Sequence, residues 1–434
     1  MSRKLVLLMT LIIVPMCVLA LAANIQLVKA EPKTWIVDDD SQADFHTINE
    51  AINASQNGDT VLVKPGIYCE NVFVDKMITL IAENHSAVIK SVTENVGSAV
   101  RIIAKKATIT GFTIQGGAAG VFLHGKKDIP VEIVVMGNII TGCIRGVFVY
   151  WSNGSLVTEN VLKYNMEGIY GYWSSARITR NIIENNSYGI SFFGRRSSII
   201  CENVIQNNNY GIFIQSSELN RFFHNNLVNN SCSAYVEGEL ENLLDDGYPS
   251  CGNYWSDYNG EDMGRGEDQS ESGSDGVGDT PYVIDDYNRD NYPLMGMFSS
   301  FNTSLGNHVN VISNFAIEDF ECFESNGTIK LYISNMTVNQ TYGFCRLTIP
   351  HDLLSPPYNV TINNNLVSYT TLYENDKLSI IYFSYEHPTS GITIKFLLLI
   401  IISLITMATL LAAIVYRRKR NTACVEIIGL KAEG

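Results

Sequence analysis

Basic residues are few: 30 Lys and Arg face 44 Asp and Glu over 434 residues, for a formal net charge of -14. Phosphate contacts need clustered cations, so nucleic-acid binding is excluded as a reading. No CxxC occurs, which leaves a zinc ribbon or a thioredoxin-like site unsupported. The seven His are scattered. Between Gly111 and Val236 the only aspartate is Asp128. Glycosidase chemistry needs two carboxylates about 5 to 10 Å apart, and the acids left there are Glu132, Glu159, Glu167, Glu184, Glu202 and Glu218.

What is present describes a folded chain with two apolar ends. Hydrophobic residues make up 46% and charged residues 17%. Arg3 and Lys4 precede the apolar stretch Leu5 to Leu21, and small residues follow at Ala20-Leu21-Ala22 and Val28-Lys29-Ala30. This reads as a signal peptide over 1–30. A second apolar run, 396–416, has 21 residues. At about 1.5 Å per residue it can cross a hydrocarbon core of about 30 Å as a transmembrane helix. Arg417, Arg418, Lys419 and Arg420 follow it, which predicts a cytoplasmic tail over 417–434 and an extracellular ectodomain. Ten N-x-S/T sequons between Asn53 and Asn359 lie on that outer side and permit glycosylation. Seven cysteines lie there too, and Cys232 with Cys251 and Cys322 with Cys345 are close enough in sequence to pair.

The organising signal is a repeat. Asn138, Asn160, Asn181, Asn203 and Asn225 are spaced 22, 21, 22 and 22 apart, and Gly146, Gly168, Gly189 and Gly211 follow the first four at an offset of eight. Between them stand apolar positions such as Ile140, Leu162, Ile183 and Ile205, and Val147, Ile169, Ile190 and Ile212. Each repeat offers about three short strands, one coil of a three-sided solenoid whose inner face is buried only by stacking. A second column, Asn165, Asn186, Asn208 and Asn230, falls five residues on. Both Asn columns read as hydrogen-bonded ladders, and the glycines as suppliers of turn conformations. Glu159, Arg180, Glu202 and His224 form a column that reads as surface charge pairing. The open end of the rod needs a cap, and Phe45, Ile48, Ala51 and Ile52 are spaced for one face of a short helix over 45–55.

Aromatic residues recur at coil spacing. Phe148, Tyr170 and Phe213 stand two after Gly, with Ser191 in the gap, and Tyr150, Tyr172 and Phe193 stand four after. Trp151 and Trp173 follow. Since Val147 and Val149 alternate with Phe148 and Tyr150, these rings are expected to face outward as a strip that binds carbohydrate or a surface-layer component. The alternative is a stack that only stiffens the rod. From Asp245 to Asp290 there are thirteen acids and two Arg. Asp275, Asp279, Asp285 and Asp290 are candidate ligands for Ca2+, against a plain acidic loop.

The run TINEAINASQNGDTVLVKPGIYCENVFVDKMITLIAE resembles the opening coil of pectate-lyase-like β-helix proteins. The repeats after it resemble the NosD-type group of carbohydrate-binding and sugar-hydrolase repeats. GNYWSDYNGED and DGVGDTPYVIDDYNRDNYPLM resemble the segment that closes archaeal NosD-like β-helices. The resemblance implies an all-β, right-handed parallel β-helix over 34–240 with an N-terminal helical cap, closed by an acidic segment over 241–300. Alternating runs then suggest a small β-sandwich over 307–394, where GFCRLTIPHDLL resembles a module found just outside the membrane anchor of archaeal surface proteins. The family also brings polysaccharide lyases and hydrolases, and copper-enzyme maturation factors. This chain lacks the Asp-pair and Gly-His-Gly motifs of polygalacturonases and the paired Arg of pectate lyases, and catalysis is left without an assigned residue. A purely structural surface protein is the remaining alternative.

Overall fold

The structure, a computed structural model, describes residues 31–397 and 425–428, apart from 128, 196, 324–326, 337–339, 363–364 and 387–391. The expected signal peptide lies outside the described residues, as does the expected membrane span except Phe396 and Leu397. These two end a strand, Ile392–Leu397. Among the described residues no helix is long and apolar enough to cross a membrane.

The 22-residue period resolves into three parallel sheets of nine, eight and nine strands. Successive coils pair in register, for example Ile140 with Leu162, Leu162 with Ile183 and Ile183 with Ile205. Each of these side chains is fully buried, so the repeated apolar positions form one continuous core along the rod. Asn138, Asn160, Asn181 and Asn203 stand between them as rungs. The Oδ1 of each later rung accepts the backbone N–H and the Nδ2 of the rung before it, all at 3.0 Å from Asn138 to Asn160 and from Asn160 to Asn181. The same Nδ2 also donates to the backbone carbonyls of Val135 and Thr158 in the case of Asn160. Buried polar groups are tolerated only when partnered, and these rungs meet that condition.

The glycine column has a different cause from the one expected. Gly146, Gly168, Gly189 and Gly211 do not need positive φ. A Cβ on Gly146 would sit 2.5 Å from the Gly168 carbonyl oxygen, and one on Gly168 would sit 2.5 Å from that of Gly189. The coils approach too closely there for any side chain. The turn role belongs instead to glycines such as Gly142, with φ +69° and open space around it.

The N-terminal cap is a short helix, α1 (Ile48–Ala54), which buries Ile48, Ala51 and Ile52. Glu70 accepts the N–H groups of Ile48 and Asn49 at 2.7 and 3.0 Å. Lys76 Nζ donates to the carbonyls of Ile52, Asn53 and Ser55 at 2.7 to 2.8 Å. An acid at the start and a base at the end complement the helix dipole and its unpaired groups.

Beyond the rod, an antiparallel sheet of five strands and a mixed sheet of six enclose a separate apolar core. They begin at the strand Met297–Asn302, which pairs with His308–Ser313, ten residues before the expected boundary. The strand Val425–Ile428, from the expected inner tail, pairs with Thr328–Ser334 and Ile392–Leu397, which keeps it on the sandwich's side. Arg346 joins the two units. It is buried, donates to the Asp275 and Pro249 carbonyls at 2.8 and 2.9 Å, and lies 3.4 Å from the Asp275 carboxylate. No disulfide joins the seven described cysteines, so neither expected pair forms. Cys322 and Cys345 stand opposite Ile329 and Phe383 in different sheets.

Candidate ligand-binding face

The eight-stranded sheet presents the aromatic residues. Its strands alternate, so Val147, Val149, Ile169, Ile190, Ile212 and Ile214 point into the core and their neighbours point out. One outward row runs Phe122, Phe148, Tyr170, Ser191, Phe213 and Tyr235 in register. Beside it runs His124, Tyr150, Tyr172, Phe193 and Gln215. The eight expected residues are all here, and all are half-buried. Phe122, His124, Tyr188, Tyr210 and Tyr235 extend the face. Tyr188 and Tyr210 immediately precede column glycines and stack at 5.3 Å, so their spacing was available to inspection. Phe122 was hidden because its coil is 26 residues from the next instead of 22.

The rings face one another along the rod axis. Tyr150 and Tyr172 lie 5.4 Å apart at 12°, Tyr172 and Phe193 5.3 Å apart at 7°, and Trp151 and Trp173 5.4 Å apart at 7°. Ring faces are therefore spent on neighbours. The surface offers ring edges and tyrosine hydroxyls instead. Trp151 and Trp173 turn the corner with φ near 49° and 48°, a left-handed conformation that bulky residues seldom adopt.

Polar groups interrupt the rings. Arg145 Nε lies 2.8 Å from Glu167, with its guanidinium 5.0 Å from the Phe148 ring centroid and 4.7 Å from that of Tyr170. Ser191 donates to the other Glu167 oxygen at 3.1 Å. Burial raises the Glu167 carboxyl above its ordinary range, opposed by Arg145 and Ser191. At one end Arg101 and His124 are 3.0 Å apart. Burial, then the Arg101 and Lys126 charges, lower the His124 imidazole. This combination suits hydrogen bonding to a polyhydroxylated ligand laid over apolar edges.

Other coil carboxylates have structural partners. Glu202 pairs with Arg180 at 2.7 Å, in the column read as charge pairing, and Glu184 accepts from Gln206 at 2.9 Å. His224 from that column is buried, stacked on Phe298 at 4.1 Å and hydrogen-bonded to the Ser250 carbonyl at 2.7 Å.

Each of the four expected calcium ligands accepts hydrogen bonds within the fold. Asp275 bonds the Val277 N–H and faces Arg346. Asp279 accepts from the Met263 and Gly264 N–H groups at 2.9 and 3.0 Å. Asp285 accepts from Tyr287 and Asn288. Asp290, fully buried, accepts from Asn253, Trp255 and Tyr292 at 2.7 to 3.0 Å. Among the described residues the only group of three or more His, Cys, Asp or Glu within common reach of an ion is Asp38, Asp39 and Asp40, near the N-terminus.

Burial raises both Asp290 and Asp262 to about 7, and Asp262 also feels the Asp275 and Asp279 charges. A carboxyl raised in the folded state adds stability that is complete below its unfolded value and is lost as pH rises through its folded value. The melting temperature is thus expected to fall between pH 5 and pH 8. Asp262→Asn should flatten that fall in scanning calorimetry. An unchanged slope in the variant would remove Asp262 as its source.

Three parallel sheets closed around inward ladders, with one aromatic outer face, define a right-handed parallel β-helix protein. Residues 52–260 match the family model described as periplasmic copper-binding protein (NosD), so the NosD-like resemblance holds over the coils. A curated relative from Methanothermus fervidus, a cell surface glycoprotein, is 38% identical over 82 residues, 18% of this chain. The match spans 14% of that relative's length. Among solved structures, pectate lyase Pel9A is similar at 12% identity and a TM-score of 0.44, over 53% of this chain and 71% of that one. XylC in complex with xylose is similar at 13% and 0.39, over 51% and 68%. Copper favours imidazole, thiolate and thioether donors. The three clustered aspartates are hard oxygen donors, so that group does not suit copper.

Proposed function

We propose that this chain is a cell-surface β-helix protein that binds carbohydrate along the aromatic sheet. The reading is carried by the rows of ring edges and tyrosine hydroxyls repeating once per coil around the half-buried Arg145–Glu167 pair. A relative that is a cell surface glycoprotein supports the location. The apolar run 396–416 and the basic cluster after it support an anchor.

Tyr150→Phe with Tyr172→Phe keeps both rings and removes two hydroxyls. Each hydroxyl contact is worth about 1 kcal/mol, or about fivefold in affinity. Binding of the purified ectodomain to glycans retained on an array should weaken by more than tenfold while the melting temperature holds. A glycan array without hits, or hits bound equally by the double variant, would sink the carbohydrate reading and leave a structural rod. On intact cells, a C-terminal tag protected from protease would support the anchor, since crossing requires Val425–Ile428 to leave the sandwich sheet. A cleaved tag would refute it.

A further inference from the structure

We propose that Asn185 carries an N-linked glycan whose first sugar lies over Tyr164 and Met166. The proposal goes beyond ligand binding but rests on the chain reaching the outer surface. Asn185-Asn186-Ser187 is a sequon, and the coil separates its two asparagines. Asn186 is a buried rung whose Nδ2 donates to the Leu162 carbonyl at 3.0 Å and to Asn208 at 3.1 Å. Asn185 sits at the corner that leads into the aromatic sheet. It is exposed, its φ is 55°, and its carboxamide has no hydrogen bond to any described residue. Only the first amide of the doublet is therefore available to an enzyme acting on the folded protein.

A second observation points to a sugar at this place. Lys163 and Glu184 are in register, so Tyr164 stands one coil before Asn185. Tyr164 is 63% exposed and Met166 54%. Unlike the rings of the neighbouring sheet, Tyr164 makes no ring contact with a described residue. These residues line a shallow groove of about 590 Å³ with Asn185 and Ser187. Exposed apolar side chains gathered in a polar rim mark a surface that something covers, and a sugar linked to Asn185 would be held against them without leaving. In the transfer, Nδ2 of Asn185 bonds to C1 of a lipid-linked oligosaccharide. The C1–O bond to the donor phosphate breaks, the phosphate leaves with the electron pair, and the amide proton passes to solvent. The sequon at Asn153 contrasts with this one. The hydroxyl of its Ser155 is buried and bonded to Ser152 at 2.5 Å, and Asn153 is expected to be bare.

Peptide mass spectrometry of the protein purified from its own cells tests this, with protease shaving of intact cells in parallel. The Asn185 peptide is expected to carry a saccharide mass. Ser187→Ala, which leaves the left-handed Asn185 in place, should lower the intact mass by that amount. It should also make Tyr164 reactive to tetranitromethane. A bare Asn185 peptide in protein shown to be at the surface would overturn the proposal and spare the surface reading. Protein found only inside the cell would overturn both. A glycan at Asn185 with Tyr164 equally nitrated in both forms would refute the packing.

Discussion

Replacing Asn203 with Ala is expected to cost about 3 to 5 kcal/mol of folding free energy, because it orphans several buried groups at about 1 to 3 kcal/mol each. Asn203 Oδ1 accepts the Asn181 N–H at 3.0 Å and Asn181 Nδ2 at 2.9 Å. Its own Nδ2 donates to the Ile178 and Cys201 carbonyls at 2.9 and 3.0 Å and to Asn225 at 2.9 Å. Asn203 has no exposed surface. Asn209→Ala, at an exposed position in the same coil, should change stability by about 0.5 kcal/mol or less. Urea unfolding of both variants checks the contrast. Equal effects would mean that the rungs are not the source of the rod's stability.

Gly189→Ala is the second large effect. The added Cβ would meet the Gly211 carbonyl oxygen at 2.5 Å, Ile205 Cγ2 at 2.9 Å and Asn208 Nδ2 at 3.2 Å. Two of these belong to the coil backbone or a ladder rung and cannot swing away. Overpacking of this kind costs about 1 to 3 kcal/mol, and the upper end is expected because the adjacent coil must be pushed off its register. Gly142→Ala, with open space but a φ of +69°, should cost about 1 to 2 kcal/mol from backbone strain alone. A Gly189→Ala protein as stable as the parent in a thermal melt would show that the coils separate freely there.

The coils were legible because a solenoid converts sequence period into spatial contact. Asn138 to Asn225 announced the first ladder, and the alternating runs Thr328 to Ile333 and Phe344 to Ile349 announced two strands of the sandwich. The glycine column was seen but misread, since a repeated glycine does not reveal whether φ or proximity demands it. The end of the ladder was invisible. It continues through Asn253 after 28 residues and Asp290 after a further 37, because loops replace whole coils there. The third ladder, Asn220 to Asn242 to Asn288, breaks its interval in the same way, at 22 and then 46. In the acidic segment carboxylates receive backbone N–H groups, and such acceptors share residue type and spacing with ion ligands. Orientation of the rings was not legible either. Outward position follows from alternation, but the choice between offering faces and offering edges depends on how closely successive coils stack.

The ladder also has a direction. Every rung hands its hydrogens to the one after it, so the last must meet a group that takes hydrogens and returns none. Asp290 fills that position, also taking the Trp255 indole N–H and the Tyr292 N–H. Fitting a further turn beyond it would put a carboxyl acceptor where a donating amide is needed. The rod is thus terminated chemically, at a group that offers a further coil no amide to carry the ladder on.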